Sequence, residues 1–290
     1  MNRTRIAPFV FLTPFLLVFA TFILYPLVQS VILSTEQTYG PEFTTFVGWD
    51  NYRFLFEDPR FHKAFINTLI FALGSIFLQL PIALGLALLL NQPWLKGRAI
   101  YRLIVFSPAL IGTIFVGVLF GIVFQKRFGL LNQALHFFFP IWDLDFAWLE
   151  HYIMPAIIIA SLWMWCGYNM VYFLAALQNV SKDLLNAAKI DGANAWHRFI
   201  HVVLPAIRPI AGFIMLISII GSLQVFELPY LMLGATSGIQ DRGLTLVMYL
   251  YQTGFETNDL GYASAIGWVL AIILILLAMG HRRLSRGEAE

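Results

Sequence analysis

Four side chains in one apolar run, Ser161, Trp165, Tyr168 and Tyr172, recur at i, i+4, i+7 and i+11, which sets them on one face of a helix. The next apolar run carries Ser218 and Ser222 one helical turn apart, then Gln224 and Glu227. Aromatic faces beside hydroxyl and amide groups suit a neutral polyol: rings cover its C–H surface while the polar groups exchange hydrogen bonds with its hydroxyls. Polar side chains inside apolar spans are costly and face a bundle interior or an aqueous cavity. Packing offers a competing account, in which the serines bond back to their own helices and Trp and Tyr fill the bundle. Glu227, the one acid within an apolar run, reads either as a pathway or gating residue or as a structural carboxylate.

Other chemistries find less support. His197 and His201 have the i, i+4 spacing of a metal pair, but Arg198 stands where a metalloprotease has Glu, and no third ligand is apparent; no metal is expected. An intramembrane serine protease needs a His base within a span, whereas His62, His136, His151, His197, His201 and His281 fall in loops or at span ends. A paired-aspartate protease fails because no Asp lies within a span, and no G-x-S-x-G occurs. An ion-gradient carrier calls for more than one intramembrane ionisable group, and Glu227 stands alone. The chain lacks G-x-x-x-x-G-K-[ST] and cannot hold ATP phosphates itself. The expectation is a non-catalytic chain with no cofactor of its own. A net charge of +2 without a basic stripe gives no sign of nucleic-acid binding, and the single Cys166 gives no disulfide framework.

The elements that must hold these residues are membrane spans. Of the 290 residues 59% are hydrophobic and 12% charged, against about 25% charged in soluble domains. Runs of about 18 apolar residues or more, enough to cross a core of roughly 30 Å, lie near 9–33, 66–90, 103–124, 153–177, 205–233 and 262–280. The first follows Arg3 and Arg5 but is too long for a signal peptide and reads as an uncleaved span. The whole chain, 1–290, reads as one all-α integral membrane domain of six transmembrane helices. Gly117 and Gly121 in the third run offer a close helix contact.

Lys and Arg alternate between loops. The N-terminus, the loop before span 3, the 178–204 interlude with the foot of span 5, and the tail together carry twelve; the intervening loops carry six. The positive-inside rule then places both termini and the interlude in the cytoplasm.

That interlude, "NAAKIDGANAWHRFIHVVLPAIRP", is polar and helix-forming between two apolar runs. Ser181 can cap a helix with Asp183 in its first turn. Asp191-Gly192 then breaks the run, since Gly tolerates backbone angles other residues resist. A second helix carries Trp196, Phe199, Ile200 and Val203 as one apolar stripe, and Leu204-Pro205 ends it. The element, about 181–203, could lie on lipid or dock a protein; Ala187, Ala188 and Gly192 favour docking because small side chains admit close backbone approach.

Asn186-Ala187-Ala188, Asp191-Gly192-Ala193, Phe199 and Leu204-Pro205 resemble the "EAA…DGA…F…LP" signature of permease subunits in binding-protein-dependent ABC importers. The stretches 46–71, 96–124, 128–132 and 261–277 are similar to the carbohydrate-uptake branch, of maltose, lactose or glycerol-phosphate type. The resemblance implies the type I importer fold and an inner-membrane subunit moving a sugar or related polyol inward. The interlude would then be a coupling helix seated on a separate ATPase. Asn186 replaces the usual Glu, so a neutral hydrogen bond stands in for an ion pair. Implied partners are a second permease chain, in a heterodimer, two ATP-binding subunits that hold ATP and Mg, and an extracytoplasmic solute-binding protein. Sugar contacts are implied on spans 4 and 5, and relatives carry an acid at the place of Glu227.

Overall fold

The computed structural model describes residues 3–38 and 43–286, with side chains described over 11–38 and 43–283. The side chains of Arg3, Arg5 and Arg286, which entered the charge count, lie outside the described residues. The chain divides into two compact units, Met1–His62 with Tyr249–Ile273, and Lys63–Met248 with Leu274–Glu290.

In the first unit a helix begins at Arg3, passes through a π-turn at Ala20–Leu24 and continues over Tyr25–Leu33. The wider turn precedes Pro26: a residue without an N–H cannot close the ordinary i→i−4 ladder, and a register shift accommodates it. An antiparallel pair of three-residue strands follows, Glu36–Thr38 with Thr44–Phe46, the one departure from the all-α expectation among the described residues. Asn51 pins it, its amide donating to the carbonyls of Ser34 (3.0 Å) and Glu36 (2.8 Å). Next to it the buried Asp58 carboxylate accepts from the hydroxyls of Tyr249 and Tyr262, and from the Arg60 backbone N–H at 2.9 Å. Burial first, then the bond to Asp58, pushes the Tyr249 phenol well above its ordinary pKa.

The second unit holds the polar faces. The helix Pro59–Leu90 leads into it, longer at its start than the 66–90 expected. The run expected as one span at 103–124 is broken: Arg98–Leu110 and Thr113–Val123 meet at 96°. Pro108 cannot bond back to Ile104, and Ile111 and Gly112 take extended backbone, so the helix stops and restarts. The first piece lies backbone to backbone on Ile153–Gln178; a Cβ on Gly167 would sit 1.9 Å from the Val105 carbonyl oxygen.

The run expected at 205–233 is also corrected. Its helix, Leu204–Leu223, ends ten residues early, and a short helix, Glu227–Met232, follows. Pro229 sits in the first turn of the new helix, where a missing N–H costs nothing. A helix running through would leave the Val225 carbonyl unpaired; the Thr245 hydroxyl donates to it instead, at 2.8 Å. Gly117 and Gly121 admit this short helix, a Cβ on Gly117 lying 2.7 Å from Leu231 Cβ. Among the described residues five helices are long and apolar enough to cross a membrane, or up to six if the bent pair is one span.

Among the described residues of this unit, one packing cluster gathers around Phe71, Val116, Phe120, Ile157, Met164 and Met232 and another around Ala83, Ala87, Met170, Phe173, Ile207 and Ile214. Small Ala residues in the second bring backbones close, as van der Waals packing between membrane helices requires.

Asn132 clamps the loop before Ile153. Fully buried, it donates to the carbonyls of Leu144 (3.1 Å) and Phe146 (2.8 Å) and accepts from the indoles of Trp142 (3.2 Å) and Trp148 (2.8 Å). Asn132→Ala strands three part-buried groups, the Phe146 carbonyl and the two indoles, at about 1 kcal/mol each, while the Leu144 carbonyl keeps the Arg127 N–H. The melting temperature of the purified protein is expected to fall by roughly 10 °C; an unchanged melt would show that water replaces the amide.

Candidate functional site

A cavity of about 590 Å³ opens within the second unit. Ser161, Trp165 and Tyr168 reach it from Ile153–Gln178, Ser218 and Ser222 from Leu204–Leu223, Gln224 from the break after that helix, and Glu227 from the start of the short one. Seven of the eight residues singled out by type and spacing thus line one space, and Tyr172 does not. Both interruptions of regular helix adjoin it, since Thr113 at the bend of the third run is also in its wall. Irregular backbone at membrane depth is tolerated where it lines a cavity.

The aromatic face is braced from behind. Trp165 stands edge-on to Tyr168 (5.8 Å between ring centroids), whose hydroxyl lies 2.9 Å from that of Tyr172. Tyr172 itself is not in the cavity wall and orients Tyr168 instead.

Ser161, Ser222, Gln79 and Asn169 are each less than 9% exposed, line the cavity, and make no side-chain hydrogen bond to another described residue. The serines therefore do not bond back to their own helices. Their polar atoms stay reachable from the cavity, since the fully buried unpaired side-chain atoms among the described residues are Ser75 Oγ and Arg102 Nε. Their open donors and acceptors face a space that a hydrogen-bonding guest, solute or water, would fill.

Gln79, Thr113 and Asn169 were missed in the sequence. Asn169 lies eight residues after Ser161, on the same helical stripe, so its spacing carried the signal. Gln79 showed only as an amide deep in an apolar run. Thr113 gave no signal, because its run reads as continuous.

The interlude forms the expected helix, turn and helix. Ser181 caps Lys182–Ile190 through the Leu184 N–H, and Asn194 caps the next helix through the His197 N–H at 2.8 Å. Gly192 sits between them at φ +81° with open space where a Cβ would be. Leu204-Pro205 does not end the second helix, contrary to expectation. A π-turn at Phe199–Val203 absorbs the proline, the Leu204 N–H reaching back to the Phe199 carbonyl, and the helix continues to Leu223. The element is therefore joined rigidly to a helix that lines the cavity. Asn186, Ala187, Asp191, Gly192, Leu204 and Pro205 are exposed, Ala188 and Phe199 half-buried, and Trp196 stacks on Phe199 with its face open. His197 and His201 stack at 5.9 Å, each Nδ1 engaged on its own helix.

Comparison with known proteins places this geometry. The family described as binding-protein-dependent transport system inner membrane component matches residues 60–286. The arabinooligosaccharides transport system permease protein AraP of Bacillus subtilis is 38% identical over 287 residues, 97% of this chain and 89% of that protein. The lactose transport system permease protein LacF of Rhizobium radiobacter is 33% identical over 271 residues, 92% of this chain and 90% of its own length. A bacterial alginate ABC transporter in complex with an alginate pentasaccharide-bound periplasmic protein has a chain of the same fold, with TM-score 0.86 and 23% identity, covering 98% of this chain and 96% of that one.

Proposed function

The chain belongs to the family of binding-protein-dependent transport system inner membrane components, and from that premise we propose that it forms half of the membrane path for a neutral saccharide. It is a multi-pass, non-catalytic ABC permease of type I importer fold that works with a solute-binding protein. Membership sets aside the ion-gradient carrier and the intramembrane protease.

The observation that carries the reading is the cavity: aromatic faces beside buried hydroxyls and amides with no partner in the described residues, and no basic group among them. Those are the groups a polyol uses, and relatives named for arabinooligosaccharides and lactose agree with them. The whole chain acts as one permease domain. A second permease chain completes the wall, and two ATP-binding subunits seat the 181–203 element from the cytoplasm, where both termini also lie. Their closure drags that element and, through the unbroken helix to Leu223, tilts the cavity wall between inward-open and outward-open states.

The test is uptake of radiolabelled arabinotriose, lactose and other neutral di- and trisaccharides into vesicles holding the assembled complex. Uptake is expected to require ATP and the binding protein. Uptake that persists on an ion gradient without the ATP-binding subunits would overturn the reading, as would failure of every neutral saccharide.

A further inference from the structure

The helix Leu130–Phe138, in the loop between the third and fourth apolar runs, leaves its aromatic rings outside and takes its most polar groups inside. Leu130, Ala134, Phe137 and Phe138 form an exposed stripe at i, i+4, i+7 and i+8, and Ile141 extends it. Phe137, Phe138 and Ile141 are 79%, 71% and 100% exposed. Gln133, the polar member of that side, donates its amide back to the Phe128 carbonyl at 3.2 Å. The inner side carries the half-buried Leu131 and Leu135 with the buried Asn132 and with His136, whose Nδ1 lies 3.0 Å from the Trp142 carbonyl. In water, enclosing an amide while two phenyl rings stay outside is the costly arrangement; against lipid it is the favourable one.

The neighbouring chain says what covers the stripe. Residues 124–129 join this helix to Thr113–Val123, whose Ile114, Phe115, Val118 and Ile122 are exposed as a lipid-facing side. Lys126 and Arg127 stand exposed at the junction, where lipid phosphates lie, and aromatic residues concentrate at that depth. We propose that the Leu130–Phe138 helix lies in the bilayer interface, with its outer stripe and Ile141 inserted among the lipid chains. Asn132 ties it to Leu144, Phe146, Trp142 and Trp148, just ahead of the cavity-lining helix Ile153–Gln178. The anchor thereby holds one end of the cavity wall at the membrane surface, opposite the 181–203 element across that single span. The anchoring does not depend on the cargo.

The experiment places a nitroxide at Phe138→Cys in the assembled complex, in phosphatidylethanolamine–phosphatidylglycerol nanodiscs, with Cys166→Ser removing the native thiol. Collisions with oxygen and with a water-soluble nickel chelate are read by electron paramagnetic resonance. The label is expected to report a depth of about 5–10 Å into the headgroup–acyl boundary, and one at the exposed Asp143→Cys to sit in water. Nickel reaching both labels equally would overturn the proposal. So would a label at 138 shielded from both reagents, because that is cover by protein. Shielding that arises only when the solute-binding protein is added would assign the stripe to that partner and overturn it as well. A second measurement needs no cysteine: p-benzoylphenylalanine in place of Phe137 is cross-linked by light. Lipid adducts, identified by mass, are expected, and adducts to protein alone would overturn the proposal.

Discussion

Gly192→Val is expected to uncouple the protein: solute-stimulated ATP hydrolysis and uptake fall below about a tenth of normal while membrane insertion and yield stay unchanged. Gly192 holds φ +81°, a left-handed conformation that costs a residue with a Cβ about 1–2 kcal/mol and a β-branched residue more. Space is not the difficulty, since nothing lies within 4 Å of where a Cβ would be. Relief comes by rotating the backbone, which moves Asn194 off the helix it caps and forfeits about 1 kcal/mol further. Together these favour a re-angled element by more than tenfold, and a partner shaped to the native turn would meet it in a minority of molecules. Gly192→Asn serves as the control, because Asn enters the left-handed region readily, and it should keep most of the activity. The measurement is co-purification of the ATP-binding subunit with each variant. Valine and asparagine variants that retain that subunit equally would refute the role given to this turn.

The interlude was legible because its signals are local. A capping serine, an Asp-Gly pair and a 3.6-residue stripe each act within a few positions, and Ser181, Gly192 and Trp196 with Phe199 took the conformations those signals imply. The two polar faces were legible for the same reason, helical periodicity fixing which side chains share a side. The interruptions of the spans were not. Hydropathy averages across Ile111-Gly112 and across 224–226 without loss, because breaks of two or three residues between apolar helices hardly change a window's mean. Prolines did mark these places, but proline alone does not say whether a helix breaks, as at 108, or widens into a π-turn, as before Pro26 and Pro205. What decides is tertiary: whether another side chain accepts the freed carbonyl, as Thr245 does for Val225. The Asp58 cluster was beyond reach for a plainer reason, its tyrosines lying 191 and 204 residues away in sequence.

Trp165→Ala is expected to lower saccharide uptake by about thirtyfold and leave basal ATP hydrolysis within twofold of normal. Trp165 lines the cavity and is 38% exposed, the open part of its ring being surface a solute can cover. Truncation removes most of an aromatic contact worth about 2 kcal/mol when covered. Tyr168→Phe probes the polar side of the same face: it deletes the hydroxyl paired with Tyr172 but keeps the ring, and a loss of about fivefold is expected from one hydrogen bond of about 1 kcal/mol. If the face binds solute, the two variants should impair uptake in that order and neither should shift the melting temperature in proportion. If Trp165 and Tyr168 only fill the bundle, uptake, basal hydrolysis and melting temperature would decline together, because loosened packing affects all three. That outcome would return both rings to the packing account, and the unpaired Gln79 and Asn169 would then face ordinary cavity water.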